Sequence, residues 1–421
     1  MTGLGNLWTD SAAERIETDP LGADTQADLC VIGGGFTGCS AALHAAQAGA
    51  RVILIEAETV GHGGSGRNVG LVNAGLWTPP ETIAEILKDQ AEAFSGKLAA
   101  APALVFDLIA RHQMSCEPVQ NGTLHLAHNA AGLRDIADRH RQLSAQGAPV
   151  RLLDAEETRQ RLGSGVYRGA LLDGRAGTIQ PLGYVRGLAR AAIAAGARIH
   201  ERTPASGVVH EDGAWRIRTP GGTIRAGALI LATNAYHRPL DGPGVPPVVG
   251  VNFFQAATPP LGPEAAGILP GGEGCWDTGL VMTSVRRDRA GRVILGAFGA
   301  LDGAGRDIHI GWARRKLAAL FPALREVPFE HAWSGRIAMT GDHLPRILRL
   351  GPAGYAAFGY SGRGIGPGTL FGKAMAEALT GAGEAALPLR PVEAHRDRFT
   401  AIRGAWIETG ATLVHATGAR V

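Results

Sequence analysis

Cysteine is scarce in this chain, four among 421 residues, and follows no pattern. Cys30, Cys39, Cys116 and Cys275 form no C-x-x-C pair and no regular spacing, which argues against a disulfide framework or a zinc site. The 14 histidines include no H-E-x-x-H or similar pair, so no metal is expected, and His125, His128 and His309 read as packed or surface residues. An excess of one charge is missing too. Forty-one Lys and Arg against 38 Asp and Glu leave a formal +3, too balanced to argue for nucleic acid or an anionic membrane as partner. No apolar run approaches the ~20 residues that cross a bilayer, so no transmembrane segment is expected. Residues 1–28 have neither a basic n-region nor an apolar h-region, so no signal peptide is expected. These absences together lead to the expectation of a soluble, reduced, cytoplasmic enzyme. At this length it has two domains or two closely packed lobes.

Glycine, by contrast, is abundant, with 61 copies, and three stretches are dense in it. The first is Asp28-Leu-Cys-Val-Ile-Gly33-Gly-Gly35-Phe-Thr-Gly38. Cys30-Val-Ile32 reads as a buried strand and Ser40 to Gly49 as a close-packed helix. Gly33 allows the tight turn out of the strand. Gly35 lets backbone approach a pyrophosphate, and Gly38 lets the helix lie close to the sheet. The helix N-terminus offers free N–H groups and partial positive charge to phosphates. A second strand, Arg51 to Glu56, ends in an acidic residue about 20 positions past the glycines, placed to accept hydrogen bonds from a ribose 2′-OH. An acid there argues against a 2′-phosphate. The pattern therefore predicts a dinucleotide, NAD or FAD.

The second stretch, Thr59 to Gly70, contains Gly61-His62-Gly63-Gly64-Ser65-Gly66-Arg67-Asn68. So much glycine is costly within regular structure and suits backbone that passes close to something flat or charged. The third is Gly359-Tyr-Ser-Gly362-Arg-Gly364-Ile-Gly366-Pro-Gly368, between a strand at Gly354–Phe358 and a helix at Thr369–Leu379. Between them the periodicity predicts helices over 81–114 (broken near Ser95-Gly96 and at Pro102), 130–147 and 182–196. It also predicts strands at 122–127, 197–201, 205–210, 215–219 and 227–234, the last an apolar run returning to the first sheet. Residues 237–275, rich in proline and glycine, read as a crossover. Leu280 to Phe298 reads as an antiparallel pair, Trp312–Phe321 as an amphipathic helix, and residues 1–27 as a loose arm with Trp8 as an anchor. Three glycine-dense segments converging on one ligand suit a long, buried FAD, whereas a nicotinamide dehydrogenase usually keeps its dinucleotide fold contiguous.

These residues resemble the D-amino-acid-oxidase/sarcosine-oxidase-like FAD-dependent oxidoreductases, and within them the γ-glutamylputrescine oxidase-like branch. The resemblance is carried by Ala27 to Leu43, Gly64-Ser-Gly-Arg-Asn68, Leu231-Ala-Thr-Asn-Ala-Tyr236, Trp333-Ser-Gly335 with Thr340-Gly-Asp342 and Leu344-Pro345, and Gly359 to Gly364. It implies an α/β (α+β) fold: a Rossmann-like FAD-binding domain from residues 1–100, 155–245 and 335–421, and a discontinuous antiparallel-sheet substrate domain from 101–154 and 246–334. By position, Gly33, Gly35, Phe36, Thr37 and Gly38 would hold the pyrophosphate, Glu56 and Ala57 the ribose, and Val208 or Val209 the adenine. Gly64, Ser65, Arg67, Asn68, Gly70 and Leu71 would line the flavin side. Ala232 and Thr233 would pass beneath the cofactor, and Gly335, Gly362, Arg363, Gly364 and Ile365 would close over the flavin. Where some relatives tether the flavin through a Cys or a His, this chain has Gly335 and Asn68, so FAD is expected to be non-covalent, with His62 a weak rival for a tether.

Oxidation of an amine needs the C–H held over the flavin and the nitrogen neutral; the cofactor supplies the electron chemistry and the protein the position and dryness. No general base is required, in keeping with the lack of a triad or paired carboxylates. The product imine would hydrolyse to a carbonyl and a released amine. Two carboxylate clamps known among related amino-acid oxidases fall on Gly362 and Gly366 here. The expected substrate is therefore a small amine without an adjacent carboxylate, of polyamine or γ-glutamyl-amine type, with O2 or another electron acceptor. A D-amino acid or N-methyl amino acid remains the alternative, since Arg363 or Arg336 could clamp a carboxylate by another geometry. No catalytic side chain is identified. Arg67, Trp77, Arg336, Tyr360 and Arg363 are substrate-side candidates, although Tyr360 suits packing better than substrate contact and Trp77 suits a core anchor as well as a pocket wall. An NAD-dependent dehydrogenase and a non-catalytic dinucleotide-binding protein are the competing classes.

Overall fold

The computed structural model describes residues 4–418; the first three residues of the expected arm and the last three of the expected 335–421 segment lie outside them. The first half runs α1 (Leu7–Ser11), β1 (Thr25–Ile32), α2 (Phe36–Gln47), β2 (Val52–Ile55), β3 (Leu71–Val72), α3 (Pro80–Leu87), α4 (Ala91–Arg111), β4 (Thr123–Leu126), α5 (Ala130–Ala145), β5 (Val150–Leu153), α6 (Ala155–Leu162), β6 (Ala170–Asp173), β7 (Gly177–Thr178) and α7 (Pro181–Ala194). The second runs β8 (Arg198–His200), β9 (Gly207–Glu211), β10 (Ala214–Thr219), β11 (Gly222–Leu231), β12 (Val249–Ala257), β13 (Gly274–Asp277), β14 (Ser284–Arg287), β15 (Val293–Phe298), α8 (Arg306–Leu320), β16 (His331–Met339), β17 (Arg346–Gly351), β18 (Gly354–Phe358), α9 (Ile365–Glu377) and α10 (Thr400–Thr417).

Apolar runs buried on both faces pair in parallel, since only a sheet covered on both sides needs them. β1 sits at the centre of the first sheet, ordered β17-β18-β11-β1-β2-β8, with β10 and β9 added antiparallel beyond β11. β1 pairs in parallel with β11, placing Ile32 opposite Leu231, and with β2, placing Ile32 opposite Ile55. β18 joins β11 in parallel, so segments some three hundred residues apart end at one sheet edge. Helices α2, α7 and α9 bury Leu43, Tyr184, Leu188, Phe371 and Met375 on one face, and Trp215, Ile217 and Phe358 fill the other.

The second sheet runs β16-β12-β15-β14-β13-β4-β6-β5, antiparallel except between β13 and β4. A Rossmann-like α/β unit beside a discontinuous antiparallel sheet is thus the architecture, as the sequence led us to expect. β6 (Ala170–Asp173) and the whole of β16 lie in this second sheet.

Three expectations need correction. α4 runs unbroken through Ser95, Gly96 and Pro102, because its buried face (Phe94, Leu98, Val105, Phe106, Ile109) offsets the roughly 3 kcal/mol cost of an interior proline. The helical break comes earlier, at Lys88, with φ of 50°. Second, the supposed crossover contains the nine-residue β12, whose apolar run is masked by flanking proline and glycine. Third, Pro80–Arg111 is helical and, by length and composition, apolar enough to cross a bilayer. It is interrupted at Lys88, and Ile83, Phe94, Leu98 and Val105 are packed into the main core.

Candidate active site

The exits of β1 and β11 converge because Gly33, at φ of +112°, turns sharply where a Cβ would sit 2.8 Å from the Ala232 carbonyl oxygen. A Cβ on Gly38 would collide with the Gly33 carbonyl, so this glycine sets how closely α2 lies against the strand. α2 starts at Phe36 with Gly35 as an N-cap that has no side chain to satisfy the first turn. Ser65 from the second glycine loop accepts from the Phe36 N–H at 3.0 Å. Glu56, at the end of β2, accepts from the Gly34 N–H at 2.7 Å and the Glu58 N–H at 2.9 Å. The carboxylate thereby ties the two βα exits together.

Between these exits and the second sheet lies a cavity of roughly 490 Å³. Of the residues picked out from the sequence, it is lined by Gly33, Gly35, Phe36, Thr37, Glu56, Ala57, Gly64, Ser65, Asn68, Leu71, Ala232, Thr233, Gly362, Gly364 and Ile365, and by Trp77, Arg336 and Tyr360. All three glycine-rich stretches therefore reach one space.

The others do not line it. Gly38 lies within α2 and Gly70, at φ of +83°, packs on Ile179. Gly335 is buried against the Phe253 ring. Arg67 turns away: its guanidinium donates to the His62 carbonyl at 2.7 Å and the Ser334 carbonyl at 3.1 Å, stapling the loop to β16. Val208 is buried under Trp215 and Val209 is largely exposed, so neither reaches the cavity. Thr203, Pro204 and Ala205, just after β8, occupy that end instead. The breaker Pro204 was the available signal for this. Sequence reasoning also missed the wall that the second sheet supplies, Phe253, Gln255, Trp276, Ser284 and Phe298, together with Tyr236 and His237 from the loop after β11.

The cavity has a polar end and an aromatic end. Glu56 and Glu58 are the carboxylates among its described lining residues, both at the βα-exit end. At the other end the Tyr360 hydroxyl shares a hydrogen bond of 2.9 Å with Thr37, tying the last glycine loop to the first. Burial pushes this phenol well above its ordinary pKa, so it stays protonated. Arg336 lies at the rim, its guanidinium 5.4 Å from the Tyr236 ring centre. Arg363 is buried beside the cavity, 4.4 Å from the Trp77 ring centre and 4.5 Å from that of Trp276. Burial draws its guanidinium down to about 9. Among the described residues no cluster of three or more His, Cys, Asp or Glu could hold a metal ion. The arrangement can enclose a long ligand and keep an apolar reacting group dry, but it offers no carboxylate base at the aromatic end.

Residues 28–378 match the model of the DAO family, described as FAD dependent oxidoreductase. The chain is 31% identical over 393 residues to the "Probable oxidoreductase OrdL" of Haemophilus influenzae, covering 89% of this chain and 88% of that one. It is 30% identical over 390 residues to the gamma-glutamylputrescine oxidoreductase of Escherichia coli, covering 90% and 89%. Glycine oxidase from Geobacillus kaustophilus shares the fold, with a TM-score of 0.72 at 23% identity over 88% of this chain and 99% of that one. Near-complete coverage at this identity agrees with the resemblance read from the sequence. The chain belongs to the DAO family of FAD-dependent oxidoreductases.

Proposed function

We propose that this flavoenzyme oxidises the C–N bond of an amine that has no carboxylate on the reacting carbon, of polyamine or γ-glutamyl-amine type. The residues present fit FAD. The start of α2 with Gly33 and Gly35 would take the pyrophosphate, Glu56 the ribose, and Thr203–Ala205 the adenine. Gly364, where a Cβ would meet nothing within 4 Å, leaves open space on the cavity wall for a ring system. Bound FAD would supply the hydride acceptor for the carbon beside the nitrogen, leaving an imine that water would hydrolyse to a carbonyl and a freed amine. Phe253, Trp276, Phe298, Trp77 and Tyr360 would surround the reacting end with apolar surface, which disfavours an ammonium and leaves the nitrogen lone pair free to assist hydride loss. No lining carboxylate at this end would hold it as an ammonium.

FAD is held without a covalent bond in this proposal. All four cysteines are buried and none lines the cavity. Asn68 stands where some relatives carry a histidine tether, and its side chain is engaged with the Gly64 and Ser65 carbonyls at 2.9 and 3.0 Å.

The observation that carries the substrate reading is the absence of a carboxylate clamp at both familiar positions. Gly362 lines the cavity with φ of +89°, and Gly366 is buried against Ala101, so neither presents a cation. The test is anaerobic mixing with polyamines, γ-glutamyl amines, N-methyl amino acids and D-amino acids, scored by loss of flavin colour. Bleaching by the first two groups supports the reading. A second reading, an oxidase or dehydrogenase of D-amino or N-methyl amino acids, draws on the guanidinium groups of Arg336 and Arg363. Bleaching by those acids alone would establish it instead.

A further inference from the structure

A second, smaller cavity of about 90 Å³ adjoins the first, sharing Asn73 and Trp276 as its wall. Three guanidinium groups line it, those of Arg139, Arg175 and Arg363, against a single carboxylate, Asp173. Asp173 is already taken by Arg175, with hydrogen bonds of 2.9 and 2.7 Å. Arg139 is paired with Asp135 at 3.1 Å and also donates to the Trp77 carbonyl at 2.9 Å. His125, stacked on Trp276 with ring centres 5.2 Å apart, is kept neutral, its pKa drawn down to about 3 mainly by burial.

Arg363 is left over. Its residue is 8% exposed, and its Nε is buried without a hydrogen-bond partner. Its two neighbours at close range are the indoles of Trp77 and Trp276, which meet edge to face with centres 5.8 Å apart and hold the cation in their corner. Ring faces stabilise a cation but cannot accept its N–H groups, so the fork is positioned and its donors are unused. A buried charge without a counter-ion is costly and is ordinarily completed by an anion. A carboxylate matches this fork in shape and charge.

We infer that the second cavity is a subsite for a carboxylate carried by the substrate at a distance from the oxidised C–N bond, with Arg363 as its binding residue. This rests on the amine-oxidising reading and narrows it to amines with an anionic tail, as in an ω-(γ-glutamylamino)alkylamine. The tail carboxylate would enter past Trp276 while the reacting amine stays in the main cavity, which joins the missing clamp beside the reaction to a cation farther away.

The test uses the FAD-loaded enzyme and two amines identical at the reacting end. One is an N-glutaryl diamine ending in a carboxylate; the other has that carboxylate replaced by a primary amide. Flavin reduction under anaerobic conditions gives kred/Kd for each, and the carboxylate should be preferred at least about tenfold, the value of one charge-assisted hydrogen bond. In Arg363→Gln this ratio should fall to near one. N-propylglutaramate, which has no oxidisable amine, should perturb the visible flavin spectrum or tryptophan fluorescence and bind R363Q at least about tenfold more weakly. If R363Q does not retain FAD, comparison of N-propylglutaramate with its primary amide on the wild-type enzyme decides alone. Equal binding of the two overturns the subsite. Flavin reduction by both diamines with no preference for the carboxylate also overturns it, and leaves the amine reading intact. No reduction by either, with N-propylglutaramate still preferred over its amide, keeps the subsite and overturns the reaction.

Discussion

Replacing Gly364 with alanine should strengthen the empty fold and weaken its hold on the cofactor. The residue has φ of −99° and ψ of −19°, a conformation alanine adopts freely, and an added Cβ would meet no protein atom within 4 Å. Removing glycine's freedom from the unfolded chain then stabilises by about 0.4–1 kcal/mol. With an unfolding entropy of roughly 2.1 cal/mol/K per residue, a chain of 421 residues should gain about 0.5–1 °C in Tm. The methyl group would, however, point into space that FAD needs if the last glycine loop closes over it. Overpacking of about 1–3 kcal/mol becomes a roughly 5- to 150-fold rise in the Kd for FAD. Differential scanning fluorimetry of apoprotein and titration with FAD, followed by quenching of its fluorescence, read the two effects separately. Gly38→Ala provides the contrast. Its Cβ collides with the Gly33 carbonyl, a backbone atom that cannot rotate away, so the apoprotein itself should lose about 3 kcal/mol or more, or fail to fold. G364A with unchanged FAD affinity would mean that this loop does not cover the cofactor.

Glu56→Gln leaves one acceptor for the Gly34 and Glu58 amides and removes the charge, so FAD should bind about 10- to 150-fold more weakly; a change under threefold would contradict the ribose role. The Thr37–Tyr360 bond should show a coupling of about 0.5–1.5 kcal/mol in a Thr37→Val/Tyr360→Phe double-mutant cycle of urea denaturation, and zero coupling would mean the two loops are not joined there. His125 and His415 are both buried and each is drawn down to about 3, so the native state refuses protons that the unfolded chain accepts below about pH 6.5. Their contribution is complete above that pH and is lost as acid moves from there towards 3, at up to about 1.4 kcal/mol per unit for each. Urea midpoints should therefore fall from pH 7 to 5, less steeply in His415→Gln; a flat profile would contradict the burial argument.

What was legible in the sequence was local. Strand, tight glycine turn, helix and Glu56 lie within thirty residues, and each has a short-range cause, so Gly33 to Glu56 could be placed without tertiary information. β11 announced itself by Ala228 to Leu231, buried on both faces. Elements whose identity depends on a partner were harder. β16 reads His-Ala-Trp-Ser-Gly-Arg-Ile and becomes a strand by pairing along its whole length with β12, itself hidden between prolines. Pro102 signals a break, yet the packing of α4 overrides it. By position the family resemblance puts Val208 or Val209 at the adenine, whereas the chain meets the cavity a few residues earlier, at Thr203 to Ala205. Arg67 sits in the right loop, but which way a long side chain turns is decided by the Ser334 carbonyl, far away in sequence. For the same reason the corner around Arg363, built from Trp77 and Trp276, was beyond any local pattern.

In the proposed function three glycine-rich segments, remote from one another in sequence, enclose a single FAD without a covalent bond. Acid precipitation of the purified holoprotein, followed by spectroscopy and phosphodiesterase digestion of the supernatant, tests it most directly. The expected result is one equivalent of FAD per chain, all of it in solution and converted to FMN by the digestion. Flavin that stays with the precipitate, or a holoprotein that yields nicotinamide dinucleotide or no flavin at all, would contradict it.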